Sequence, residues 1–219
     1  MRVAPTVRSS LMAMATLSDL GVIAVPWPEL SWPMPAGAER TPIEGLEWRY
    51  CWGAYPRGEI LLNLEQHLSA LPPRSHVDLR LELWRELSLA EAEAFFQHEL
   101  RRHRFNPAWS EDLAYVYRDE RPALSISQWR YCCWAAVRHA ASVAQRQSYP
   151  DLQAVRDAAY LELRRRAMRM AAGIWSTCAL PPYDLRPDSA LARVTANLLP
   201  SLGVYWNTPP AMEVLKQHG

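Results

Sequence analysis

The sequence predicts an α+β fold, predominantly α, with a small antiparallel sheet and hairpin in its N-terminal half and a helical C-terminal half. Three observations carry this expectation. Leu46, Trp48, Tyr50 and Trp52 alternate with polar or small residues, as do Val77, Leu79, Leu81 and Leu83, which is the period of a half-buried strand. Capping signals stand at Ser88, followed by Glu91, and at Ser125, followed by Gln128. From Leu152 through Val155, Ala159, Leu163, Ala167, Met170 and Ile174, apolar residues step by three and four, the repeat of one helix face.

The elements follow in order. Val7, Leu11, Met14, Leu17 and Leu20 predict a first helix, with Gly21 as its stop. The apolar stretch 21–25 predicts a short buried strand. Residues 26–42 hold Pro26, Pro28, Pro33, Pro35 and Pro42, with Trp27 and Trp32 among them. Proline fixes φ and has no amide to share, so an ordered surface arm is expected, with the two tryptophans as candidate protein-interface residues. The hairpin is expected to run from 46–52 to 60–64. Tyr55-Pro-Arg-Gly58 would be its turn, with proline at the second position and glycine at the fourth. Residues 77–83 predict a third strand with Asp78, Arg80 and Glu82 on its polar face.

Helices are expected thereafter. One runs from the Ser88 box to about Arg104, where Asn106-Pro107 ends it. Tyr115 and Tyr117 predict a short strand before the Ser125 box opens a helix to about Gln147. Ser148-Tyr-Pro-Asp151 restarts the chain into the longest helix, about 151–177. Two short helices, 188–199 and 209–217, close it, with Thr208-Pro209 as the cap of the second. Residues 1–120 are thus expected to form an α+β part, and 121–219 a helical part, of one compact unit.

Composition excludes several chemistries. All but one of the 24 basic residues are arginine, the exception being Lys216. A GC-rich coding bias is one reading of that, as it is of ten tryptophans against three phenylalanines, the other for tryptophan being a place at core edges and interfaces. The consequence holds whatever its origin: a phosphate-loop nucleotide site or a Schiff base has almost no lysine to use. The eight glycines are scattered singly, so no glycine-rich loop can cradle a phosphate, and no cofactor is expected. Cys51, Cys132, Cys133 and Cys178 lack metal-ligand spacing and are expected to be reduced thiols in a cytoplasmic protein. Of these, Cys133 shares an apolar stripe with Ile126, Val137 and Ala144, while Cys132 is expected to be half exposed. Arg2 and Arg8 precede an apolar run, 11–15, too short for an export signal, and no run is long enough to cross a membrane.

No catalytic or metal site is nominated. His98 and His103 are separated by five residues, which turns the second imidazole about 140° from the first, whereas shared ligation needs one face. No serine lies in a Gly-x-Ser-x-Gly elbow. Glu91 with Glu93, and Glu111 with Asp112, read as solvated surface.

Charge is the remaining signal. Residues 121–180 hold nine arginines against three acids, while residues 1–120 hold twelve arginines against seventeen acids. Two patches stand out. Arg130, Trp134 and Arg138 fall at i, i+4 and i+8, a pattern suited to phosphate contact with base stacking. Arg164, Arg165, Arg166 and Arg169 form a cationic collar around a buried helix. Against this, Glu162 is placed to pair with Arg165 and Arg166, the acidic half can dock on the basic half, and a pI of 7.7 is low for a free-standing nucleic-acid binder. Arg156 lies inside the apolar stripe and requires an acidic partner, within the chain or on another subunit.

The expected function is a non-enzymatic subunit of a multi-component assembly. Its Trp/Pro arm would meet other protein subunits, and its arginine-rich helices an RNA or DNA backbone. The alternatives are a protein-binding scaffold without nucleic acid, and a helical enzyme or small-ligand binder with a dispersed site.

Overall fold

Residues 3–27, 47–51, 59, 62–63, 66, 76–120, 124–146, 151–175 and 177–217 are described by a computed structural model, and within them the protein is predominantly helical. Thr6 and Ser9 cap one another's backbone amides to start α1 (Val7–Asp19), which buries Leu11 and Met14. Gly21, at φ 68°, reverses the chain as expected. Strand β1 (Ile23–Trp27) then pairs antiparallel with β2 (Glu47–Tyr50), Ile23 opposite Tyr50. The register slips between Ala24 and Trp27, the stretch containing Pro26, which has no amide to give.

This pairing is not the expected hairpin. Part of the 46–52 strand is present as β2, but its partner is β1, and residues 62 and 63 of the expected return strand are helical. The turn 55–58 lies outside the described residues, as do 28–42 of the proline arm, including Trp32. Pro26 and Trp27 close β1.

The expected third strand is instead the first two turns of α2 (Val77–Arg102). Beyond Val77 this stretch has no β-branched residue, and its Leu, Arg and Glu are strong helix formers. The apolar spacing continues as Leu81, Trp84 and Leu87, all buried, while Leu79 is turned out at 68% exposure. Ser88 therefore caps nothing. It lies in mid-helix and its hydroxyl donates to the Trp84 carbonyl at 2.7 Å. Asn106 accepts from the Ala108 amide and starts a 3₁₀ turn, Pro107–Glu111, that runs into α3 (Asp112–Glu120). Tyr115 and Tyr117 thus belong to a helix, with Tyr117 buried and its hydroxyl donating to the Arg85 carbonyl at 2.7 Å.

The Ser125–Gln128 capping box opens α4 (Ile126–Gln145) as expected. Asp151 caps α5 (Leu152–Ala171), which is shorter than expected because Gly173, at φ 76°, ends it. Ile174, read as part of the apolar stripe, is consequently 66% exposed. The chain closes with α6 (Ala190–Asn197), α7 (Leu202–Asn207) and α8 (Met212–Gln217). Helix α7 was not anticipated, and Thr208 ends it rather than capping α8.

Two apolar clusters meet along α2. Its C-terminal half packs with α3, α4 and α5 through Phe96, Leu100, Leu113, Trp129 and Leu163. Its N-terminal half packs with Ile126 and the last three helices through Leu81, Trp84, Tyr205 and Trp206. Each large buried side chain contributes about 1.5–3 kcal/mol of transfer free energy. Cys132 and Cys133 both lie fully inside the first cluster, so the expectation of a half-exposed Cys132 fails. Burial pushes its thiol up to about 12, leaving no thiolate at neutral pH. Among the described residues, no helix is long and apolar enough to cross a membrane.

Candidate functional site

Helices α4 and α5 pack side by side and bring most of the two basic patches into one run. On α4, Tyr131, Trp134 and Arg138 fall at i, i+3 and i+7, on one face. The Arg138 guanidinium lies 5.0 Å from the Trp134 ring centroid, and Trp134 lies 5.8 Å from Tyr131. Arg166 of α5 reaches across, 5.4 Å from the Tyr131 ring, and donates Nη1 to the tyrosine oxygen at 2.9 Å. The other end is built by the chain reversal after α5. The Ile174 amide bonds back to the Arg169 carbonyl at 3.0 Å, and the half-buried Trp175 folds beneath the last turn. Arg165, Arg166 and Arg169 then lie 5.5, 5.2 and 4.9 Å from the Trp175 ring. Arginines and rings touch in an unbroken series from Arg138 through Trp134, Tyr131 and Arg166 to Trp175.

Each guanidinium held over a ring gains about 0.5–1 kcal/mol at an exposed site and keeps its charge. The run holds one carboxylate, Glu162, which is buried. It accepts Arg165 Nε at 2.7 Å and Nη2 at 2.8 Å, and Arg166 Nε at 2.6 Å. Burial works against its charge, but the hydrogen bonds from Arg165 and Arg166 outweigh burial and hold it below the ordinary carboxylate range. The same bond raises Arg165 further. Among the described residues Arg138, Arg164 and Arg169 form no ion pair, and all three are exposed. Arg164 stands beside the run without joining its stacked contacts.

Arg130 does not belong to it. Its guanidinium turns toward α2 and α7 instead, 4.4 Å from the Phe95 ring and 5.6 Å from Trp206. Its Nε is buried and has no hydrogen-bond partner among the described residues. Burial lowers its pKa, while Glu91, Cys133, Glu99 and Asp188 oppose that shift. Here Glu91 of α2, read as solvated surface, is partly buried and faces Arg130 of α4 and Tyr205 of α7. Its carboxyl is pushed up to about 7 by burial, which outweighs Arg130, while Asp188 adds to the rise. A long 3.5 Å hydrogen bond from the buried Tyr205 hydroxyl also opposes it.

Asp112 is likewise not solvated surface. Arg156 donates to both its oxygens, Nε at 2.9 Å and Nη2 at 2.8 Å, so the partner that Arg156 required lies within the chain. His98 and His103 are exposed, the latter ending α2. Trp27 is placed by its backbone in β1, and Trp32 lies outside the described residues.

Tyr131 and Trp175 were missed in the sequence. The signal for Tyr131 was its i−3 spacing from Trp134. For Trp175 it was a glycine stop two residues earlier, which folds the chain back and makes Trp175 a platform below the arginines. Comparisons with protein-family models, curated proteins and solved structures find no significant match.

Proposed function

We propose that the face of α4 and α5 binds the phosphate backbone of an RNA or DNA strand, and that the protein is a non-enzymatic subunit of a larger assembly. The observation that carries this reading is the unbroken run from Arg138 to Trp175. Four arginines, Arg138, Arg165, Arg166 and Arg169, stand in that run with one carboxylate, which is itself buried. Guanidiniums resting on rings lose less side-chain freedom on binding a phosphate than unsupported ones do, and their N–H edges still point outward. Trp134 and Tyr131 add apolar edges against which bases can stack.

The near-neutral pI is a weak objection to this face. Among the described residues, three acids of the N-terminal half are directed elsewhere: Asp112 meets Arg156, while Glu91 and Glu99 lie near Arg130. The expectation that the acidic half covers the basic helices thus holds for Arg130 and Arg156, while Arg138, Arg164 and Arg169 stay exposed.

Retention on heparin and salt-sensitive binding of a labelled oligonucleotide are expected. Replacing both Arg138 and Arg169 with alanine removes two unpaired cations. For a single strand this should flatten the slope of log affinity against log salt by about 1.4, at roughly 0.7 for each phosphate no longer neutralised. Equal binding by the double variant at every salt concentration contradicts the proposal.

A further inference from the structure

A carboxylate at the centre of an anion-binding face is electrostatically the wrong charge. Glu162 weakens the field that a phosphate meets, and removing it on Coulomb grounds alone should tighten binding. Its geometry argues for a different effect. The side chain is buried, so it does not itself meet a ligand. It closes one whole edge of Arg165, through Nε and Nη2, and takes Nε of Arg166. Arg166 gives its Nη1 to Tyr131, and Trp175 lies against both guanidiniums. Every hydrogen bond fixes an arginine in plane and in rotamer. What is left over is Nη1 and the second N–H of Nη2 on Arg165, and Nη2 and the second N–H of Nη1 on Arg166.

We infer that Glu162 is a positioning residue for this face, fixing Arg165 and Arg166 so that each presents its remaining N–H groups to a phosphate of a nucleic-acid backbone. Arg138 and Arg169 engage phosphates without a carboxylate holding them, since neither forms an ion pair among the described residues. This assignment rests on the nucleic-acid reading above. It makes the contribution of Glu162 one of preorganisation, opposite in sign to its contribution as a charge.

The sign is what an experiment reads. Binding of a fluorescein-labelled oligothymidylate to the full chain is followed by anisotropy over a series of salt concentrations, for the parent and for Glu162→Gln. Folding of each variant is checked by its melting transition. Loss of positioning predicts binding about three- to tenfold weaker, the cost of re-ordering one or two long side chains, with an unchanged salt slope. Tighter binding with a steeper slope means that Glu162 only screens, and the inference is then wrong.

Arg166→Lys tests the same point without changing charge, because an ammonium cannot span Glu162 and Tyr131 as a flat fork does. It should weaken binding in the same direction, and unchanged affinity overturns the inference. This variant decides the matter if Glu162→Gln does not fold. In a background carrying Arg165→Ala and Arg166→Ala, Glu162→Gln should have no further effect. A further loss there would show that Glu162 acts through the fold at large and not through the two arginines. Absence of binding by the parent chain is a different result, which defeats the nucleic-acid reading itself.

Discussion

Helix α4 carries an arginine against aromatic rings on each of two faces, and the two environments have opposite physics. On one face Arg138 lies against Trp134, exposed and without an acidic partner among the described residues. On the other, Arg130 lies between Phe95 and Trp206 with its Nε buried and its charge disfavoured by burial. The sequence spacing i, i+4, i+8 treats Arg130 and Arg138 as one stripe. Eight residues of α-helix drift by about 80°, enough to carry one end of the stripe into the core and leave the other in water. Arginine beside an aromatic is therefore no functional signature by itself. What separates a binding group from a structural one is whether the N–H edge reaches solvent and whether acids lie within reach.

This contrast is best broken first at its buried side. Arg130→Ala removes a long stem packed between two rings and leaves a void, and should cost about 2–4 kcal/mol in urea unfolding. Oligonucleotide affinity, measured where the variant is still folded, should not change. A large affinity loss with intact stability would place Arg130 in the binding face after all.

Glu91 sharpens the same side through pH. The fold holds its proton more tightly than the unfolded chain does, since the carboxyl is moved from 4.5 to about 7. Its contribution to stability is thus complete below about pH 4.5, declines as pH rises, and is gone above about pH 7. The shift corresponds to roughly 3 kcal/mol at most. Glu91→Gln should accordingly stabilise the protein by about that order near pH 8 and by little near pH 5. Equal stabilisation at both pH values would mean that Glu91 does not titrate as its burial requires.

Between the two extremes stands Arg156 with Asp112, a bidentate pair that is partly exposed. Solvent screening limits such a pair, so Asp112→Asn should cost about 1 kcal/mol and less at high salt. A loss that does not respond to salt would mark the contact as packing rather than charge. Arg164→Ala should be the mildest of all. It should leave stability within about 0.5 kcal/mol, because the side chain is exposed and makes no ion pair among the described residues. An unfolding midpoint shifted by more would reveal a contact of Arg164 with a part of the chain outside them.

How much of the fold was legible in the sequence depended on the length of each pattern. The Ser125–Gln128 box and the stripe Val155, Ala159, Leu163, Ala167 repeat over enough turns that only a helix satisfies them, and both are helical. Seven residues at 77–83 satisfy period two and a helix equally, and the surrounding helix formers decided between them. Glu91 and Asp112 looked like surface acids because a local sequence shows no tertiary partner. Tyr205 lies 114 residues from Glu91, and Arg156 lies 44 from Asp112. Ser88–Glu91 matched a capping box in a place where the chain never stops being helical. The arginines of α5 and Trp134 were found from spacing. That they form one run depended on Trp175 and Tyr131, whose place follows from the Gly173 reversal and from how α4 lies on α5.

Charge on the exposed face of α4 is available to a ligand, and charge on its buried face is not. The most direct test is the salt dependence of oligothymidylate binding in three proteins: the parent, Arg138→Ala with Arg169→Ala, and Arg130→Ala. Loss of the exposed pair should lower the slope by about 1.4 and weaken binding, while Arg130→Ala should overlay the parent. Equal slopes for all three, or a lowered slope only for Arg130→Ala, would contradict this division of the helix.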